Sequence, residues 1–128
     1  MSHSVEFHPD LGVVETVYAG ALSRAELETA VKETIDVGRE HNAFRYLADC
    51  RTLEGGHSLV DLYNMASLVE ASGINLDGLR EAVLLPDSAG AVDNVSFWES
   101  TSFNRGLNVK LFKDRDEALN WLCEARAE

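Results

Sequence analysis

Four residues around the start of a predicted helix have the types and spacing that bind an anion. Gly55 and Gly56 lie just before Ser58, and Arg51 is the nearest preceding basic residue. Paired glycines let backbone amides converge, and a helix N-terminus attracts negative charge, so a phosphate on Ser58 would be stabilised there. The alternative role of Ser58 is structural, since a serine here caps the first turn, and loss of that cap costs about 1 kcal/mol. Both interpretations stay open at this point.

The neighbouring His57 does not extend this pattern to a nucleophilic enzyme. The run from Gly56 to Val60 departs from the G-x-S-x-G nucleophile elbow, because Val60 occupies the place of the last glycine. Adjacent residues at a helix start also diverge, so His57 is poorly placed to act as a base for Ser58. Since no nucleophile, base and orienting residue converge in the pattern, we expect no catalytic residues and no enzyme.

The remaining residue types with metal or redox chemistry are scattered along the chain. The histidines do not have the i, i+4 spacing of helical metal ligands; they are His3, His8, His41 and His57. Cys50 and Cys123 form no CxxC pair, which is typical of free thiols in a reducing cytoplasm. There is also no glycine-rich phosphate-binding motif. We therefore expect neither a metal nor a cofactor.

An aromatic group over residues 97–103 has two interpretations. Phe97, Trp98 and Phe103 lie in a predicted helix that covers the sheet, where packing into the core is the simpler role. Because Phe97 and Trp98 are adjacent, both cannot point into one core, so one of them faces a groove or an interface. That surface would pack against a protein partner, a second copy of the chain or an apolar ligand.

Length and charge exclude several classes of protein. The chain has 128 residues, of which 22 are acidic and 11 basic, and a net charge of −11. Such a chain is repelled by nucleic-acid phosphates and by anionic membranes, and no apolar run approaches the roughly 20 residues that span a bilayer. The N-terminal residues lack the basic and apolar segments of a signal peptide. We expect a single cytoplasmic domain over residues 1–128, with no nucleic acid bound and no membrane insertion.

Alternating strand and helix patterns must position these residues. β-Branched and apolar runs predict strands over 4–8, 13–18, 44–49, 79–85 and 107–112. Caps and helical spacing predict helices over 23–41, 58–72 and 91–104 and another that begins at Asp114, with Gly73 as a C-cap. The order β-β-α-β-α-β-α-β-α predicts an α/β fold, in which helices pack on a mixed, mostly parallel five-stranded sheet.

Two stretches resemble the STAS-like, or SpoIIAA-like, family of sulphate-transporter and anti-sigma-factor-antagonist domains. Residues 109–122, VKLFKDRDEALNWL, resemble the last strand and helix of that family, and residues 47–51, LADCR, resemble its third strand and the following loop. The resemblance implies the same fold and a regulatory role. In anti-sigma-factor antagonists, a partner kinase phosphorylates a serine at the start of the second helix. Ser58 is the matching residue here, although the family's Asp-Ser-Ser-Gly run is absent.

The favoured function is a non-enzymatic regulatory module of the SpoIIAA-like type that binds a protein partner. A homodimer through the exposed edge of the opening hairpin is a further expectation. The alternative is a carrier of a small molecule or lipid, because the broader fold also resembles lipid-binding domains of the Sec14 type. A carrier would need an apolar cavity beneath the third helix, lined by residues such as Met65, Phe97 and Trp98.

Overall fold

The computed structural model describes residues 2–54 and 57–124 and confirms the predicted order of strands and helices. Its strands are β1 (Ser2–His8), β2 (Val13–Ala19), β3 (Arg45–Asp49), β4 (Arg80–Leu84) and β5 (Asn108–Phe112). Its helices are α1 (Arg24–Glu40), α2 (Leu59–Ala71), α3 (Ala89–Phe103) and α4 (Arg115–Cys123). None of these described helices has both the length and the apolar character needed to cross a membrane.

The five described strands form one sheet in the order β1-β2-β3-β4-β5, which confirms the predicted α/β class. β1 and β2 form an antiparallel hairpin whose register pairs Val5 with Thr16. Each later strand runs parallel to its neighbour. Parallel neighbours need a crossover connection, and α1, α2 and α3 supply those connections in turn. The carboxyl ends of β2 to β5 therefore lie at the same edge of the sheet.

Side chains that alternate along the central strands pack against helices on both faces of the sheet. On β4, Ala82 and Leu84 are buried under α4, whereas Val83 is buried on the face that α1, α2 and α3 cover. Cover on both faces accounts for the continuous apolar run of this strand. The two-residue period of a strand places Glu81 on the same face as Val83, beneath the three helices.

Helix α2 packs chiefly against α1 and α3. Its buried residues Leu62 and Met65 line the space between the helix and the sheet. The helix ends with Ser72 as its C-cap; the predicted cap, Gly73, follows with φ +80°. Glycine is favoured there because the residue after a C-cap commonly adopts the left-handed conformation.

Candidate functional site

A cavity of about 70 Å³ lies between the sheet and helices α2 and α3. The sheet contributes Ala48 and Val83 to its walls, α1 contributes Val31, α2 contributes Met65 and α3 contributes Val95. These walls are overwhelmingly apolar. A cavity with such walls favours apolar groups over water, and concave apolar sites with a few polar groups are the usual places for small ligands.

A second cavity of about 50 Å³ adjoins the first, towards the start of β4. Within the part of the chain that the structure describes, four residues line both cavities: Tyr18, Val31, Glu81 and Trp98. Tyr46 of β3 lines the second cavity. The boundary between the two spaces is thus formed by one aliphatic side chain, two aromatic rings and one carboxyl group.

Among the described residues, Glu81 is the acidic residue that lines these cavities. It lies on β4 between Leu79 and Val83, at a position where the strand period would place a core residue. Trp98 of α3 donates a hydrogen bond from Nε1 to Glu81 Oε1, at 2.8 Å. Over residues 2–54 and 57–124, Glu81 Oε2 has no hydrogen-bond partner, and no lysine or arginine lines either cavity. Since Glu81 lines both cavities, this unpaired oxygen is available to a bound molecule.

The apolar surroundings change the acidity of Glu81. Burial raises the pKa of its carboxyl group to about 7, while the hydrogen bond from Trp98 acts in the opposite direction. Near neutral pH, the charged and the neutral forms are therefore both populated. A carboxyl group that can change charge inside an apolar cavity is a common property of functional sites.

Among the described residues, Tyr18, Tyr46 and Cys50 are ionisable groups on which the charge of Glu81 acts. Burial raises the pKa of Tyr18 and of the Cys50 thiol, and the charge of Glu81 adds to both effects. Burial also raises the pKa of Tyr46 to about 12, again with a contribution from Glu81. All three groups keep their protons at neutral pH, so Cys50 is not a reactive thiolate.

Hydrogen bonds join α3 to the segment before α2 in the lining of the first cavity. Asn94 donates from Nδ2 to the His57 carbonyl at 3.0 Å, and the His57 backbone N–H donates to Asn94 Oδ1 at 3.3 Å. The His57 ring donates from Nε2 to the carbonyl of Leu22 at 2.8 Å, since a carbonyl can only accept. His57 therefore connects three segments of the fold, and its ring is directed to Leu22 rather than to Ser58.

No protein-family model, no curated protein and no solved structure matches the chain. The resemblance to the STAS-like family thus stays a prediction. The candidate site is identified by the geometry of the residues around Glu81. Among the residues that the structure describes, no group of three or more histidine, cysteine, aspartate or glutamate side chains could hold a metal ion.

Arg51 and Ser58 of the predicted anion site have separate hydrogen-bond partners. Ser58 is exposed, and its hydroxyl accepts a hydrogen bond from the Asp61 backbone N–H at 3.0 Å, which caps α2. Arg51 donates to Asp49 from Nε at 3.0 Å and from Nη2 at 2.8 Å, and this pairing holds the Asp49 pKa below its usual range. The charge of Arg51 is therefore already compensated. The other two predicted members, Gly55 and Gly56, lie outside the described residues.

The residues predicted to form a ligand or partner surface lie in three different places, namely the cavity walls, the core and the protein surface. Trp98 lines both cavities and Met65 lines the first. Phe97, which the carrier interpretation placed in the cavity wall, packs against the core instead. The reason is helical geometry, since adjacent side chains on a helix point about 100° apart. Phe103, at the C-terminal end of α3, is 75% exposed.

Sequence reasoning missed Glu81, although a signal was present. Two charged residues, Arg80 and Glu81, stand between Leu79 and Leu85, and the two-residue period of the strand places Glu81 on the face of Leu79 and Val83, which lie in the core. Acidic residues on the core face of a strand are rare unless they are paired or functional, so this position is more informative than the exposed serine or the scattered histidines.

Proposed function

We propose that the protein binds a small, largely apolar molecule in the two cavities beneath α2 and α3. One observation carries the proposal, namely an apolar space that faces a Glu81 carboxyl oxygen with no partner among the described residues. Ligand sites characteristically combine apolar walls with a few polar groups that orient the bound molecule. The carrier interpretation of the sequence is thus the leading one, and no reaction forms part of it.

The volume of the cavities sets the size of the ligand. An engineered apolar cavity of about 150 Å³ holds benzene, whereas the volumes here are about 70 Å³ and about 50 Å³. A molecule of several non-hydrogen atoms fits this space, while a long acyl chain would require α2 to move outward. We therefore propose a small molecule rather than a lipid.

An NMR titration of the backbone amides with xenon, a single-atom apolar probe, tests this function. We expect saturable shifts at Ala48, Val83 and Val95, which line the first cavity. Ala48→Leu would fill the space and abolish the shifts, whereas Met65→Leu conserves volume and should retain them. The proposal fails if xenon produces no saturable shifts in the folded wild-type protein.

A second candidate function, the regulatory interaction module, is favoured by an exposed apolar face on α2. Leu59, Val60 and Tyr63 are 54%, 67% and 53% exposed, which is unusual for neighbouring residues on a helix that faces water. We propose that this face binds a protein in the cytoplasm, with a second copy of the chain as the simplest partner. Free Cys50 and Cys123 are compatible with that compartment.

Sedimentation equilibrium tests this second candidate. Val60→Asp places a charge on the exposed face but is tolerated in the first turn of a helix. We expect the wild type to dimerise with rising concentration and Val60→Asp to stay monomeric. A wild type that is monomeric at every concentration would remove the homodimer from the proposal.

A further inference from the structure

The cavities contain a carboxyl group for which the described protein supplies no counter-charge. Glu81 Oε1 accepts the Trp98 N–H, but Oε2 has no partner within residues 2–54 and 57–124. Carboxylates in apolar surroundings are ordinarily paired with a cation or a metal. Because no lysine or arginine of the described chain lines either cavity, a cation at Glu81 would have to come from the ligand.

Aromatic rings lie around the same carboxyl group. Tyr18 and Trp98 line both cavities together with Glu81, and Tyr46 lines the second. The faces of aromatic rings attract cations, and tryptophan does so most strongly. A carboxylate beside three aromatic residues is a combination that recognises an ammonium group, whereas a neutral apolar ligand needs no carboxylate.

We propose that the ligand of these cavities is a small primary amine, whose protonated nitrogen pairs with Glu81 Oε2 and whose carbon skeleton fills the apolar space. This inference rests on the proposed function and adds to it the chemical class of the ligand. The net charge of −11 favours the approach of a cation from solution. Val31 and Met65, on α1 and α2, line the first cavity where the carbon skeleton would lie.

The pH dependence of binding follows from the groups that face Glu81. Tyr18 on β2, Tyr46 on β3 and Cys50 after β3 all have raised pKa values and keep their protons at neutral pH. His57 lines the first cavity from the segment before α2, and its ring donates to a backbone carbonyl. Helices α1, α2 and α3 contribute no charged side chain to the described lining. Amine binding requires the Glu81 carboxylate, so affinity should rise with pH to about 7 and then level off.

Isothermal titration calorimetry of the full chain with matched ligands tests the inference. Isobutylamine, isobutanol and isobutyrate share a branched carbon skeleton and differ in charge. At pH 8 we expect isobutylamine to bind about tenfold more tightly than isobutanol, and isobutyrate to bind weakly or not at all. Lowering the pH to 5.5 should remove most of the amine preference.

Two variants connect this preference to Glu81. Glu81→Gln keeps an acceptor for the Trp98 N–H but cannot carry a charge, so it should bind amine and alcohol with similar affinity. Glu40→Gln is the control, because it removes one exposed carboxyl group of α1 that lines neither cavity. It should retain both the amine preference and its pH dependence.

The outcomes separate the failure of this inference from the failure of the proposed function. If amine and alcohol bind equally and Glu81→Gln changes neither, the cavity binds apolar molecules and the amine inference is overturned. Affinity that falls as pH rises would mean that Glu81 acts as a neutral hydrogen-bond donor, and an amine preference that Glu40→Gln loses as well would attribute it to the net charge of the chain. Both results overturn the inference. If none of these ligands binds, and xenon also fails, the proposed function itself is overturned.

Discussion

Trp98 donates a hydrogen bond from Nε1 to Glu81 Oε1 at 2.8 Å, and this bond joins α3 to a central strand of the sheet. Both groups lie among apolar side chains, where an indole N–H or a carboxyl group without a partner would be destabilising. The bond satisfies the indole N–H and one carboxyl oxygen. It also fixes the carboxyl group at the boundary of the two cavities, with its second oxygen available.

Glu81 should make the stability of the protein depend on pH. Its pKa is about 7 in the folded protein, raised by burial from an ordinary value of 4.5 in the unfolded chain. Between these values, the folded state holds a proton that the unfolded state has lost. The resulting stabilisation is fully present below the unfolded pKa and is lost as pH rises through the folded pKa, a change on the order of 3 kcal/mol.

Urea unfolding of the wild type and Glu81→Gln between pH 4 and pH 8 measures this contribution. The wild type should lose stability relative to Glu81→Gln as pH rises to about 7, and the difference should stay constant above that pH. Glu40→Gln removes an exposed carboxyl group of α1 and serves as the control for the loss of one charge. A constant difference between wild type and Glu81→Gln across the whole range would contradict the prediction.

Trp98→Phe should separate the hydrogen bond from the packing of the ring. The variant keeps an aromatic ring but lacks the N–H, and the pKa of Glu81 should rise because that bond favours the charged form. The unpartnered carboxylate should cost about 1–3 kcal/mol at pH 8 and less at pH 5, where the carboxyl group is neutral. Trp121→Phe is the matched control, since Trp121 packs beside Phe112 on the other face of the sheet. An equal loss of unfolding free energy at both pH values would attribute the effect of Trp98→Phe to packing alone.

The order of the elements could be predicted because caps and hydrophobic periods are local signals. Ser23 and Glu26 form the predicted capping box with hydrogen bonds of 2.8 Å and 3.1 Å. Asp114 accepts from the Asp116 backbone N–H at 2.8 Å at the start of α4. The element ends were less accurate, and both β1 and α3 begin two residues before the predicted position. Ends depend on neighbouring elements, which a local pattern does not describe.

The cavities could not be predicted from the same signals, because they depend on distances between elements. Met65 and Trp98 have a helical spacing that would be the same in a fully packed core. The difference is that α2 packs chiefly against α1 and α3 and leaves room above the sheet. Glu81 interrupts an apolar strand and so carried a local signal, but its partner Trp98 lies 17 residues further along the chain. No spacing rule connects a strand residue to a residue on the following helix at that distance.

Gly38 is required where α1 passes over Tyr46. A methyl group at Gly38 would collide with the Tyr46 ring and hydroxyl, which donates to the Ala43 carbonyl at 3.2 Å. Although alanine is the better helix former, Gly38→Ala should destabilise the protein by about 1–3 kcal/mol. Gly90→Ala is the control, because the nearest atom there, Ser88 Oγ, is 4.0 Å from the added carbon. That control should stabilise α3 by about 0.5 kcal/mol. Thermal unfolding measures both variants, and an unchanged Tm for Gly38→Ala would show that Tyr46 can move aside.

Substitutions at Ser58 should separate a helix cap from a regulatory switch. Ser58→Ala loses the acceptor for the Asp61 N–H, 3.0 Å away, and should cost about 1 kcal/mol in urea unfolding. Ser58→Asp keeps an acceptor and adds a negative charge that the helix N-terminus favours, so its stability should stay close to that of the wild type. The charge also lies directly before Leu59, where the exposed apolar face of α2 begins. If a phosphate on Ser58 acts as a switch, Ser58→Asp weakens the dimer in sedimentation equilibrium. If Ser58 is only a helix cap, both variants keep the dimer affinity of the wild type, and Ser58→Ala loses stability.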